Sequence, residues 1–220
     1  MVYSLHGVGY EGFLHQYSTL PARGDTVIVA ANDAADVDLR AEYDGTTHVL
    51  GDWMRLSAEM EIDVLLPMRA RVDGRVYESV AVLSRGSVLG VSDAVRPTAD
   101  VRAGRELRAY RLPRGIVGIS VGQDIRYPQL WEPFAGQVSR LYLLSRAYCN
   151  GADVACARAA AIGCGCQTIA DFDDASVCIR SDGVVEQVEC GKLRPFFKRP
   201  HIDAPYRIAQ VPFTLEGARD

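Results

Sequence analysis

The 220-residue sequence predicts one domain of mixed α and β structure, built on two sheets rather than on one simple doubly wound sheet. Three observations carry that prediction. Short continuous apolar runs rich in β-branched residues recur along the chain, as buried strands do. Helical stripes fall between them. Two hairpin patterns then break the regular strand–helix alternation that a doubly wound sheet would show.

Taken in order, Asp25 to Ala31 (DTVIVAA) follows Pro21 and Gly24 and reads as a buried strand. From His48 to Met60, Val49, Trp53, Leu56 and Met60 recur at helical spacing, with Asp52, Arg55 and Glu59 off the stripe. IDVLLP follows as a second buried strand. RVYESVAVLSRGSVLGVS alternates about Ser84-Arg85-Gly86-Ser87 and predicts a hairpin, and residues 93–109 read as a surface loop. GIVGISVG, residues 115–122, is a third apolar strand ending in glycine. Pro128 and Pro133 suit a first helical turn, and the apolar residues from Phe134 to Tyr148 predict a helix running to about Asn150. A strand near 152–157, a Gly/Cys loop and a hairpin about Ser181-Asp182-Gly183 complete the pattern, with a last strand near RIAQVPF.

Net charge is −4, so no overall basic field points to nucleic acid or an anionic membrane surface. The start MVYSLHGVGYEGF lacks the basic and apolar regions of a signal peptide, and no run approaches a membrane span; a cytoplasmic protein is expected. Only Lys192 and Lys198 are lysines, both in a basic, Pro-rich insert over residues 192–203. Its Arg and Lys residues around Phe196 and Phe197 suit a solvated loop with an aromatic anchor. All six cysteines lie between Cys149 and Cys190 without a CxxC pair, and His6, His15, His48 and His201 are scattered. Buried free thiols and no metal or other cofactor are expected.

GISVGQDIRYPQL resembles the nucleophile elbow of the carbon–nitrogen hydrolase (nitrilase) superfamily, of the form GVLICYDLRFPEL, with Asp124, Arg126, Pro128 and Leu130 matching. Upstream, the hairpin from Gly74 resembles the family's GRLYNSAVLIDPDGEVLG. Downstream, SRAYCNGADVACA resembles RARAIENQVYVVAA, and ASVCIRSDGVVEQ resembles SRIIDPDGRVLAE. The likeness spans roughly residues 25–212. It implies a four-layer α-β-β-α sandwich, two mixed sheets flanked by helices, somewhat truncated after the elbow: either one strand and loop are missing there, the placement that the RA..N spacing favours, or GADVACARAA is that strand and the deletion follows it.

The family's chemistry uses a cysteine nucleophile, a glutamate base and a lysine that supports the tetrahedral intermediate. Carried over position by position, the cysteine falls on Gly122, ahead of Gln123, the glutamate on Ala31 and the lysine on Ala94. A two-residue slip would bring Asp33 and Arg96 to the last two positions. The elbow cannot slip, because Asp124, Arg126 and Pro128 fix its register. Three readings follow: a non-catalytic protein that binds a small amide, nitrile or carboxylate, or a partner; an enzyme with a relocated thiol, Cys164 or Cys166; and a structural subunit with a collapsed pocket. A homodimer or association with a related subunit is the expected assembly.

Overall fold

The computed structural model of the protein describes residues 1–6, 9–16, 19, 21–30, 36–98, 100–189 and 194–195. In chain order these form β1 (Val2–His6), α1 (Tyr10–Gln16), β2 (Thr26–Ala30), β3 (Asp36–Asp38), α2 (Leu39–Tyr43), α3 (Val49–Glu59), β4 (Asp63–Val72), β5 (Arg75–Ser84), β6 (Ser87–Asp93), β7 (Arg108–Leu112) and β8 (Gly115–Val121). A 3-10 turn over Gly122–Arg126 leads into α4 (Pro128–Trp131). Then follow β9 (Arg140–Leu144), α5 (Gly151–Cys164), β10 (Gln167–Asp171), β11 (Ser176–Ile179), β12 (Val185–Glu189) and β13 (Arg194–Pro195).

Among the described residues the strands make two mixed sheets. One runs β13-β1-β2-β4-β5-β6, with β3 beside the far end of β4; the other runs β12-β11-β10-β9-β8-β7. Strands β8, β9 and β10 are parallel, whereas β7, β11 and β12 run antiparallel to their neighbours.

The strands that read as continuous apolar runs do so because both of their faces are covered. In β2, Val27 and Val29 point outward to Phe13, Trp53 and Leu56 of α1 and α3, while Ile28 points inward. In β9, Leu141 and Leu143 meet Trp131 and the Ala157, Ala160 and Ala161 face of α5, while Tyr142 and Leu144 point inward. The inward side chains of both sheets, Ile28, Leu65, Val80 and Val82 against Val117, Ile119, Tyr142 and Ile169, form the central layer. Helix, sheet, sheet and helix therefore stack as the expected four-layer sandwich.

Both expected hairpins form. Arg85 and Gly86 take positive φ (50° and 78°) between β5 and β6, as a two-residue primed turn requires, and Gly183 (80°) lies between β11 and β12. A further hairpin joins β4 to β5 through Asp73 and Gly74, also at positive φ.

Residues 134–166 depart from the sequence expectation. No helix runs from Pro133 to Asn150: the chain turns at Gly136 (φ 68°), and RLYLL forms β9, parallel to β8. The strand expected near 152–157 and the loop after it are instead α5. Asn150 caps that helix by accepting from Ala152 and Asp153 N–H, and Gly165 ends it in the left-handed region. Alanine-rich ADVACARAAA favours helix, whereas Leu-Tyr-Leu-Leu, flanked by burial on both faces, packs as strand. Nor is a strand missing after the elbow, since β9 is that strand. Between β8 and α5 the chain carries only the 3-10 turns, the four-residue α4, β9 and the link of residues 145–150. The expected last strand near RIAQVPF and nearly all of the 192–203 insert lie outside the described residues. Among the described residues no helix is long and apolar enough to cross a membrane.

Candidate functional site

The parallel strands β8 and β9 end side by side at Val121 and Leu144, and the carboxyl ends of parallel strands are where open α/β sheets place ligands. The chain leaves β8 through Gly122, at φ +60°, into the 3-10 turn, and Pro128 opens α4 at its first position. Three anchors hold this elbow. The buried Asp124 carboxylate accepts from the N–H groups of Val95 (2.8 Å) and Arg96 (2.6 Å), which ties down the loop after β6. Arg126 Nε donates to Asp153 at the start of α5 (2.6 Å), and Trp131 Nε1 donates to Ile125 O. Burial pushes the Asp124 carboxyl up to about 6, with the two backbone N–H groups opposing the rise and the nearby Glu78 adding to it.

The nucleophile position is Gly122, at a positive φ that disfavours a side chain, and the Glu78 carboxylate would have to shift to admit one. A Cβ built there would lie 2.5 and 2.6 Å from the two carboxylate oxygens of Glu78, where ordinary contact begins at 3.4 Å. Glu78 comes from β5, directly across from Arg69 of β4. Arg146 approaches from the link after β9, which is held by Ser145 N–H donating to Asp171 O and Ala147 N–H donating to Ser145 Oγ. Burial raises the Glu78 carboxyl above its ordinary value, against the pull of Arg146 and then Arg69. These residues, with Gln123, Thr98 and Asp100, line an open cavity of about 310 Å³.

Of the other family positions, only Ala94 lies among the described residues, and it is not at this cavity. Ala94 is fully buried in the layer between the sheets, with its N–H donating to Glu78 O, and does not line the pocket. Ala31 and Asp33 lie outside the described residues. Arg96 turns its guanidinium over the Tyr127 ring instead of into the cavity.

Neither Cys164 nor Cys166, the alternative nucleophile candidates, lines the cavity beside the elbow. Cys164 ends α5 and Cys166 precedes β10, at the level where Gln167 pairs with Arg140. The elbow lies at the opposite end of these strands, roughly 13 Å away at about 3.3 Å per residue. Both thiols are buried; Cys164 donates to Trp131 O, and neighbouring Cys164 together with burial raises the Cys166 thiol. Cys178 is buried as well, as expected of a reduced apolar thiol, while Cys156 lies half-buried on a helix rather than in a strand. No group of three or more metal-ligating side chains occurs among the described residues.

The sequence reading passed over Glu78 and Arg69, and placed Arg146 on a helix. The signal for Glu78 was available: VYESVA carries a glutamate where the family's LYNSA has asparagine, and a carboxylate in an otherwise apolar strand needs a reason.

No protein-family model matches the sequence, and no curated protein matches it. Solved structures do match. A carbon–nitrogen hydrolase superfamily protein of Xanthomonas campestris, which holds an arsenic adduct in its active site, superposes at TM-score 0.72 and 14% identity over 87% of this chain and 86% of its own. A carbon–nitrogen hydrolase of Helicobacter pylori gives 0.68 and 14% over 88% and 86%. A cysteine-to-alanine variant of the Nesterenkonia sp. amidase, solved in complex with butyramide, gives 0.68 and 10% over 88% and 87%. With its two mixed sheets, flanking helices and strand-terminal elbow, the chain has the fold of the carbon–nitrogen hydrolases.

Proposed function

We propose that this chain is a carbon–nitrogen hydrolase-fold protein without the family's covalent chemistry, and that it works by binding a small molecule in the pocket beside the elbow. The observation that carries this reading is Gly122 with the Glu78 carboxylate set against it. A thioimidate or acyl intermediate needs a nucleophilic atom at the elbow. Here the elbow has no side chain, and a carboxylate occupies the volume that one would fill. The pocket is nonetheless open and carries Arg69, Glu78 and Arg146 in its lining, which supports ligand binding over a collapsed structural role. At about 310 Å³ it suits a metabolite-sized molecule.

Ligand-observed NMR with butyramide, butyronitrile and butyrate tests the reading, using Ala147→Trp as the comparison. Ala147 is exposed and lines the pocket, so the indole fills the cavity without disturbing the core. Binding to the wild type that the variant loses is expected. Equal binding to both proteins, or binding to neither, contradicts the reading.

A further inference from the structure

The charges around the pocket select among small ligands. Arg69 and Glu78 face one another across β4 and β5, and Arg146 comes from the neighbouring sheet. Cross-strand partners hold their Cβ atoms roughly 5 Å apart, so Arg69 and Glu78 address the same volume. Other charged groups around it, among the described residues, are Asp124 in the elbow, itself beside Arg96, Asp100 in the loop after β6, and Asp36, which pairs with Arg69 at 3.5 Å. Asp100 is exposed, whereas Glu78 is half-buried against Gly122. A ligand at the floor of the pocket therefore meets two guanidinium groups and one desolvated carboxyl.

We infer that this pocket takes a small carboxylate anion, held by Arg69 and Arg146, with Glu78 bridging to it through a single shared proton. The inference rests on the ligand-binding reading above and names its ligand class. Guanidinium groups present planar forks of N–H donors that match carboxylate oxygens. A second carboxylate beside Glu78 adds like-charge repulsion to its burial, and Arg69 and Arg146 are engaged by the ligand, so binding draws one proton from the buffered solvent to Glu78. The ligand arrives as its anion, the proton settles between the two carboxyl groups, and no covalent bond changes. Glu78 is prepared for this role by its burial, which already favours the neutral acid.

Calorimetric titration with sodium butyrate, butyramide and n-butylamine between pH 6 and 8, in buffers of different ionisation enthalpy, tests the inference. Butyrate affinity should rise as pH falls, by up to about tenfold per unit, with uptake of close to one proton. Glu78→Gln mimics the neutral acid and should bind butyrate with no proton uptake and no pH dependence in that range. Loss of the Glu78 charge also lowers Asp124, so Asp124→Asn serves as the control and should keep the proton uptake. Arg146→Gln should weaken butyrate binding at least tenfold at every pH, and thermal unfolding confirms that the variants fold. Butyrate binding without proton uptake, or uptake that persists in Glu78→Gln, overturns the inference. If butyramide or n-butylamine binds and butyrate does not, the carboxylate assignment falls while the ligand-binding reading stands. If none of the three binds, both fall.

Discussion

Replacing Gly122 with alanine examines the feature on which the account rests, and its cost can be worked from the geometry. Gly122 sits at φ +60°, where an L side chain is disfavoured by about 1–2 kcal/mol. The new methyl group would lie 2.5 to 2.7 Å from the Glu78 carboxyl atoms, so that carboxyl must withdraw by almost 1 Å to reach ordinary contact at 3.4 Å. Moving it from its place beside Arg69 and Arg146 adds about 1 kcal/mol, the size of an off-rotamer shift. Gly122→Ala should therefore lose about 2–3 kcal/mol in urea unfolding. In a Glu78→Ala background only the backbone part remains, and the double-mutant cycle should show a coupling of about 1 kcal/mol. Gly122→Cys, which returns a thiol to the elbow, meets the same two obstacles and should not gain turnover. An additive cycle, or a Gly122→Ala variant as stable as the wild type, would refute the claim that Glu78 fills the nucleophile's space.

Three further outcomes follow from the same structure. Asp63 is buried with Ser84 Oγ donating to one carboxylate oxygen, while its Oδ2 has no partner among the described residues, and burial pushes its carboxyl up to about 6. A carboxyl with a raised folded pKa binds its proton more tightly in the folded state, so its protonation stabilises below about pH 4, and that benefit is lost as pH rises through 6. Asp63→Asn should match the wild type near pH 4 and exceed it by up to about 3 kcal/mol at pH 7, measured by urea unfolding across pH. Asn150→Ala should cost about 1 kcal/mol in the same measurement, because Asn150 caps α5; no loss would contradict the helix there. Cys164→Ala and Cys166→Ala should leave ligand binding in the pocket unchanged, read by the NMR titration, since both thiols lie at the far end of the sheet.

The sequence carried the fold well wherever burial and turn chemistry agreed. DTVIVAA, IDVLLP and GIVGISVG are apolar on both faces because each strand is sandwiched, and the Arg85-Gly86 and Asp182-Gly183 turns left their usual mark. It misled between Phe134 and Cys166. RLYLL has an apolar content that fits helix or strand equally, and only its place beside β8 decides. ADVACA looked strand-like, and the Asn150 cap and Gly165 that mark a helix around it were passed over. The empty elbow was legible at Gly122, because Asp124, Arg126 and Pro128 fix the register. The glutamate in VYESVA was visible too, but its place against Gly122 was not, because that contact joins residues far apart in the chain.

The most direct test of the central claim is ammonia release from butyramide and butyronitrile, measured over a day at micromolar protein with an active amidase as the positive control. Release should be indistinguishable from a protein-free blank, whether or not these molecules bind. Catalytic release that disappears in a cysteine-to-alanine variant would contradict it.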